Sequence, residues 1–198
     1  MHVARALLTL IIASGASTAW GLCVDEGKPL PPVSLNDHAD QLSGKIVYDH
    51  QNNTIHYLPW SSTSLTGNAF VIYHLAARKG IDNINRSFIS MLDELPPQGH
   101  QLVVILNVDD VFTGGKYFAR KIFEGNAKEH ASDVVFVLDE NSTVQQRWCI
   151  DKKSSTLILV NIKGEIVKAK DGALTAAERL DFINAINYVY GLTPGASQ

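Results

Sequence analysis

The sequence predicts an α/β fold in which a mixed central sheet carries helices on both faces and is preceded by an N-terminal β-hairpin. Apolar runs of strand length alternate with segments whose apolar residues recur every three or four positions, which is the helical period. Hydrophobic residues make up 45% and charged residues 19% of the 198 positions, so the chain can bury a substantial core. No repeat or linker interrupts the alternation, and one domain is therefore expected over residues 22–198.

Strand-length apolar runs account for the sheet. Two short runs with a polar turn between them predict a hairpin in the N-terminal part, residues 22–65. In the core, residues 66–192, three continuous apolar runs are typical of strands buried on both faces. Two further runs flank a turn at Lys163-Gly164. The predicted strands are 45–48, 54–58, 69–75, 102–108, 134–138, 156–162 and 165–169.

Helical periodicity fills the intervals between these strands. A helix is predicted between the first two core strands and ends before Pro96-Pro97. A shorter helix is predicted around Tyr117, Phe118, Ile122 and Phe123, and a helical turn over 144–148. The last helix opens with a capping box formed by Thr175 and Glu178. The apolar faces predicted for the first and last helices are Ile81, Ile84, Phe88, Met91, Leu92 and Leu95, and Leu180, Ile183, Ile186, Val189 and Tyr190.

Residues 1–21 are typical of a secretory signal peptide. Arg5 supplies a positive charge, an apolar run follows over 6–13, and small residues lead to a cleavage site near Gly21. The apolar run is too short to cross a hydrocarbon core of about 30 Å, and no later stretch is long enough to do so. We therefore expect an exported protein that does not span a membrane.

Composition excludes several classes of function. The formal net charge is −3 at pH 7, so no basic excess is available to neutralise nucleic-acid phosphates. The two cysteines are too few for a zinc site made of four thiolates. Nucleotide-binding, serine-hydrolase and zinc-protease motifs are missing, and the histidines show no metal-ligand spacing. The sequence therefore predicts no nucleic-acid partner, no metal site and no cofactor.

The order of the elements resembles the thioredoxin fold, in the three-layer form with an extra strand and helix found in peroxiredoxins and TlpA-like proteins. The resemblance is strongest in the last hairpin, 156–167, and Leu138-Asp139-Glu140 resembles the strand end before the inserted helix of TlpA-like proteins. Two segments, 107–110 and 169–175, more narrowly resemble the YtfJ family. That family comprises small exported proteins of Gram-negative bacteria, so the resemblance implies a periplasmic location but no particular chemistry.

The dithiol site of thioredoxins is missing from this sequence. Thioredoxins carry C-x-x-C between the first central strand and the following helix, whereas the corresponding loop here, 76–82, contains no cysteine. Ser155 occupies the position of the cis-proline, and a cis bond before serine costs about 2.5–4 kcal/mol. Because the thiolate is the nucleophile of such sites, disulfide exchange and peroxide reduction are not expected.

Charged residues gather at the predicted edge where the carboxyl ends of the strands meet, which is where open α/β sheets bind ligands. Arg78 and Lys79 precede a helix, and Asp109 and Asp110 follow the second core strand. Together with Ser155 they are the candidate ligand-binding residues. Two cations beside a helix N-terminus suit a small anion. Alternatively, Arg78 or Lys79 pairs with Asp109 or Asp110 in solvated ion pairs that contribute little.

Two functions from different classes remain open at this point. One is a non-redox thioredoxin-fold module that binds a periplasmic protein partner or a small anion. The other is a carboxylate-based or metal-assisted enzyme that uses Asp109 or Asp110. We favour the binding module, because no sequence pattern supplies a nucleophile together with its base. The sequence does not fix the oligomeric state.

Export would place Cys23 and Cys149 in an oxidising compartment, where an even pair of cysteines forms either a structural disulfide or two buried thiols. A disulfide would attach the proline-rich N-terminal segment to the strip between the third core strand and the final hairpin. In the alternative, Cys149 is a small buried hydrophobe beside Trp148 and Cys23 frays in solvent.

Overall fold

The computed structural model describes residues 21–35, 42–95, 101–109, 111, 114–130 and 134–191. Residues 1–20 of the predicted signal peptide and the candidate site residue Asp110 lie outside the described residues. The strands are β1 (Ser34–Leu35), β2 (Gly44–Asp49), β3 (Thr54–Leu58), β4 (Trp60–Ser61), β5 (Phe70–Ala76), β6 (Gln101–Asn107), β7 (Val134–Asp139), β8 (Ser155–Val160) and β9 (Ile166–Asp171). The α-helices are α1 (Ile81–Ile84), α2 (Arg86–Asp93), α3 (Gly115–His130), α4 (Thr143–Arg147) and α5 (Ala176–Val189).

The main sheet has seven strands in the order β3-β2-β7-β6-β5-β8-β9. Its centre is parallel, since β6 pairs in parallel with both β5 and β7. The hairpins β2–β3 and β8–β9 add antiparallel strands at the two edges. The predicted mixed sheet with an N-terminal hairpin is thus confirmed. A second sheet, β1–β4, was not predicted because each of its strands has only two residues.

Side chains alternate between the two faces of the sheet, and each face is covered by different elements. On one face, Ile72, Val103 and Ile105 pack with α4, the buried Trp148 and the N-terminal segment. The other face packs against α2 and α5 at one side and against α3 at the other. Helices therefore lie on both faces, as predicted. Three helices on the second face leave a gap between α2 and α3.

The helix predicted from Ile81 onward is broken at Asn85. The structure ends α1 at Ile84 and begins α2 at Arg86, and Asn85 between them has φ −116° and ψ 20°. Its side chain is buried and hydrogen-bonded to distant elements, so the backbone bends to bring it inward. The apolar face of α2 is correct, with Phe88 and Leu92 fully buried.

Two other helices differ from prediction in the residues that they bury. The predicted short helix around Tyr117 is a 16-residue helix, α3, and only Phe123 of its four predicted apolar residues is buried. In α5 the predicted core residue Leu180 is 58% exposed, whereas Phe182 is buried. The capping box at Thr175 and Glu178 is confirmed: each side chain bonds the backbone N–H of the other residue.

Candidate functional site

The loop that corresponds to the dithiol loop of thioredoxins joins β5 to α1 and is anchored through its backbone. The Ala76 N–H donates to the Ser154 carbonyl at 3.1 Å, and the Ala77 N–H donates to the Asn107 carbonyl at 2.8 Å. Arg78 and Lys79 follow, both exposed, and Gly80 has a φ of 86°, the left-handed conformation that glycine adopts readily. The loop therefore presents two cations where thioredoxins present two thiols.

Beneath this loop lies a buried network centred on Asn85. Its Nδ2 donates to the Ser155 Oγ and to the Gly172 carbonyl, each at 3.0 Å. Its Oδ1 accepts from the Leu174 N–H at 2.9 Å. Asn85 thus ties the start of α2 to β8 and to the segment between β9 and α5.

Ser155 is part of this network and is 0% exposed. No cis peptide bond occurs among the described residues, so the bond before Ser155 is trans. The hydroxyl of Tyr73 lies beside it, and burial raises the pKa of Tyr73, with a hydrogen bond from Ser155 opposing this rise. Because Ser155 faces the interior, it does not share a surface with Arg78 and Lys79, and we leave it out of the proposed site.

Asp109 is engaged by a different cation from those that the sequence suggested. Its Oδ1 accepts from Lys116 Nζ at 2.7 Å, and its Oδ2 lies 3.3 Å from the Ser142 hydroxyl. Lys116 holds the pKa of Asp109 below its usual value, with Ser142 contributing. Asp109 and Lys116 are both substantially exposed, so this is an ordinary surface ion pair.

Below Asp109 the end of β6 is secured by buried polar side chains. Asn107 donates to the Ser142 Oγ at 3.0 Å and to the Gln145 Oε1 at 3.2 Å. Asp139 accepts from the N–H groups of Thr143 and Val144, at 2.9 and 2.8 Å, and so caps α4. Burial raises the pKa of Asp139, and these backbone hydrogen bonds oppose the rise. These partners give Asn107 and Asp139 a structural role at the strand ends.

The gap between α2 and α3 is an open cavity of about 830 Å³, which we call the α2–α3 groove. Its floor is formed by three side chains of the central strand, Leu102, Val104 and Leu106, all of them only partly buried. On the opposite face of the same strand, Val103 and Ile105 are fully buried. One face of a central strand is therefore incompletely covered, which is unusual for a core strand.

The wall of the groove on the α3 side is apolar and exposed. Phe118 and Ile122 line it and are 68% and 69% exposed. They are four residues apart and so lie on one side of the helix, whereas Phe123 and Ala127 form a second such pair that is buried. Ile89 of α2 lines the opposite wall. Contiguous exposed apolar surface of this kind marks interaction sites.

Charged groups differ between the two ends of the groove. Arg78, Lys79 and Asp82 lie at the end where β5 finishes, and Asp82 is already paired with Arg86 at 2.8 Å. The opposite end holds Asp93 together with Asn126 and His130. The structure therefore brings Arg78 and Lys79 together at the groove, but it places Asp109 in a separate ion pair.

Cys23 and Cys149 form a disulfide, with their Cα atoms 5.2 Å apart. The Cys23 N–H donates to the Trp148 carbonyl at 2.9 Å, and the indole N–H of Trp148 donates to the Pro31 carbonyl at 2.9 Å. The disulfide thus fastens the N-terminal segment to the end of α4, on the face of the sheet opposite to the groove. A disulfide here is consistent with an oxidising compartment.

The described residues contain no group of three or more His, Cys, Asp or Glu side chains that could hold a metal ion. Among the same residues, no helix is both long and apolar enough to cross a membrane.

The sequence pointed to Arg78 and Lys79 but did not reveal the groove beside them. The sequence of α3 did contain a signal for the groove. Phe118 and Ile122 form one apolar pair and Phe123 and Ala127 form another, whereas a helix that packs on a single sheet face needs only one such pair.

Comparison with solved structures shows a thioredoxin-like fold. The thioredoxin domain of a thiol-disulfide oxidoreductase from Bacteroides vulgatus aligns with a TM-score of 0.51 at 14% identity, covering 84% of this chain and 99% of that one. A reduced 2-Cys peroxiredoxin from Plasmodium vivax aligns with a TM-score of 0.52 at 13% identity, covering 87% and 89%. At these identities the likeness extends to the fold alone.

Comparison of sequences identifies nearer relatives. The chain is 30% identical over 156 residues to "Uncharacterized protein YtfJ" of Escherichia coli (strain K12), covering 78% of this chain and 80% of that protein. It is 29% identical over 190 residues to an "Uncharacterized protein" of Haemophilus influenzae, covering 95% and 96%. The model of the family described as "Bacterial protein of unknown function (YtfJ_HI0045)" matches residues 24–188. The chain therefore belongs to the YtfJ family.

Proposed function

We propose that this protein is an exported, non-redox member of the thioredoxin fold that binds a small ligand with an anionic group at the end of the α2–α3 groove. The observation that carries the proposal is the content of the loop after β5. Arg78 and Lys79 stand there, beside an open groove, in place of the paired cysteines of a redox thioredoxin.

The non-redox part of the proposal is supported by the position of the cysteines. The sequence has two, and they are joined to each other on the face opposite to the groove. At the dithiol position the interior is filled by the Asn85 network, and Ser155 replaces the proline of redox thioredoxins. A disulfide that closes a long loop acts mainly by restricting the unfolded chain, which is a structural role.

Binding is favoured over an enzyme that uses Asp109, because that carboxylate already accepts from Lys116 and Ser142. The lowered pKa of Asp109 keeps it ionised and makes it a poor general base near neutral pH. Export is supported by the leader-like residues 1–21 and by the disulfide.

The redox part is tested by insulin-disulfide reduction and by peroxide consumption. We expect neither reaction to exceed the uncatalysed rate, and we expect the variant with both Cys23→Ser and Cys149→Ser to behave identically. Turnover by the wild type would contradict the proposal, and its loss in the double variant would assign that turnover to the disulfide.

The binding part is tested by thermal unfolding in the presence of acetate, sulfate and inorganic phosphate. We expect at least one anion to raise the Tm, and the combined reversal Arg78→Glu and Lys79→Glu to abolish the rise. Lys163→Glu is the matched control, because Lys163 is an exposed lysine in the β8–β9 turn. An equal effect of the anion on all three proteins would contradict binding at this end of the groove.

A further inference from the structure

The apolar surface of the α2–α3 groove exceeds what a small anion requires. Its floor and both walls are formed by aliphatic and aromatic side chains, among them Val104, Ile89 and Phe118. A cavity of about 830 Å³ lies within the range of about 300–1,000 Å³ that is typical of small-molecule sites. A ligand that satisfies this surface must contribute a substantial apolar part.

The charges at the two ends determine the orientation of such a ligand. At the end near Arg78 and Lys79, the carboxylate of Asp82 is paired with Arg86, so the charged side chains described at this end sum to a net positive charge. At the opposite end Asp93 presents an exposed carboxylate, which repels an anion. The charges therefore favour an anionic head group at the loop end, and an apolar tail extends from there along β6.

The length of the groove fits a single extended chain. Its floor runs from Leu106 near the loop to Leu102 at the far end, and four residue steps along a strand span about 13 Å. Phe118 and Ile122 stand beside this path on α3. A tail laid along the floor contacts these side chains along its whole length.

We propose that the α2–α3 groove binds a single-chain amphiphile with a carboxylate head, such as a medium-chain fatty acid, with its head at Arg78 and Lys79 and its tail over β6. This inference rests on the proposed function and names its ligand class. Binding removes Val104, Phe118 and Ile122 from water, and each buried CH₂ group of the tail strengthens binding by about fourfold.

The test is isothermal titration calorimetry of the protein with hexanoate, octanoate and decanoate, all kept monomeric. We expect Kd to fall by about two- to fourfold per added CH₂. Decyltrimethylammonium, which has the same tail and a cationic head, is expected to bind at least tenfold more weakly than decanoate. An affinity independent of chain length, or equal for the two head groups, would overturn the inference.

Two variants locate the site. Ile122→Glu places a charge in the groove wall and is expected to weaken decanoate binding at least tenfold. Leu180→Glu is its matched control. Leu180 is also an exposed aliphatic residue on a helix, 58% exposed against 69% for Ile122, but it does not line the groove. Lys79→Glu, compared with Lys163→Glu, is expected to weaken decanoate binding about tenfold, as the loss of one charge-assisted hydrogen bond does.

The outcomes separate this inference from the function on which it rests. If acetate or phosphate raises the Tm but decanoate binds no more tightly than hexanoate, the inference is wrong and the proposed anion site stands. If the protein binds vesicles with anionic lipids but not monomeric decanoate, the inference is also wrong. If Ile122→Glu and Leu180→Glu weaken binding equally, the tail does not lie in the groove.

Discussion

Replacement of Asn85 by alanine should be among the most destabilising single changes between β5 and α2. The side chain is 1% exposed and makes three hydrogen bonds, to Ser155, Gly172 and Leu174. Alanine leaves the Leu174 N–H without its acceptor, and it leaves the Ser155 Oγ and the Gly172 carbonyl oxygen without the N–H donor of Asn85. Asn85→Ala thus removes the connection between α2, β8 and the segment that precedes α5.

The expected loss in the free energy of unfolding follows from these three hydrogen bonds. A buried polar group left unsatisfied costs about 1–3 kcal/mol, and each of the other lost hydrogen bonds costs about 0.5–1.5 kcal/mol. We expect the free energy of unfolding to fall by about 3 kcal/mol, and the Tm by about 6–12 °C for a chain of this size.

Urea unfolding, monitored by tryptophan fluorescence with the disulfide intact, measures this change. Asn83→Ala is the matched control, since Asn83 is exposed on α1 only two residues away, and a change within about 0.5 kcal/mol is expected there. A loss below about 1 kcal/mol for Asn85→Ala, or one equal to that of Asn83→Ala, would refute the assignment of this network to stability.

Two further predictions concern the disulfide and the last helix. The double variant Cys23→Ser and Cys149→Ser should lose about 4–5 kcal/mol of unfolding free energy, because the disulfide closes a loop of 126 residues. In urea unfolding, a reductant should destabilise the wild type by the same amount and leave the double variant unchanged. The Lys170 ammonium and the Thr175 N–H lower the pKa of Glu178 from 4.5 to about 2, so its stabilising contribution is complete above pH 4.5 and is lost as the pH falls towards 2. Carbon-13 NMR titration should find the pKa of Glu178 raised towards 4.5 in Lys170→Ala, and an unchanged pKa would show that the contact at 2.8 Å is not formed in solution.

Most of the sheet could be predicted from the sequence, because its central strands consist largely of continuous apolar runs. The six residues of β8 are all buried, and the last four of them, 157–160, form a continuous apolar run that leaves little ambiguity. The capping box at Thr175 is equally local, since its two side chains and their backbone partners lie within one turn. Features determined by short-range pattern were therefore accessible from the sequence.

The break at Asn85 and the groove depend on long-range packing and could not be predicted. The partners of Asn85 are 70 to 89 residues away in sequence, so a polar residue in a helical pattern gave no sign of them. In α3 the sequence showed apolar residues but not which pair faces β7 and which faces open space. That choice depends on the distance between α2 and α3, which no local pattern encodes.

A ¹H–¹⁵N NMR titration of the protein with decanoate tests directly whether the α2–α3 groove binds an anionic amphiphile. Binding at the α2–α3 groove predicts chemical-shift changes at Lys79, Val104 and Ile122, while the amide of Trp148, beside the disulfide on the opposite face, stays unchanged. Shifts centred on Trp148, or no shifts at millimolar decanoate, would contradict the claim that this thioredoxin fold acts by binding an anionic amphiphile at its groove.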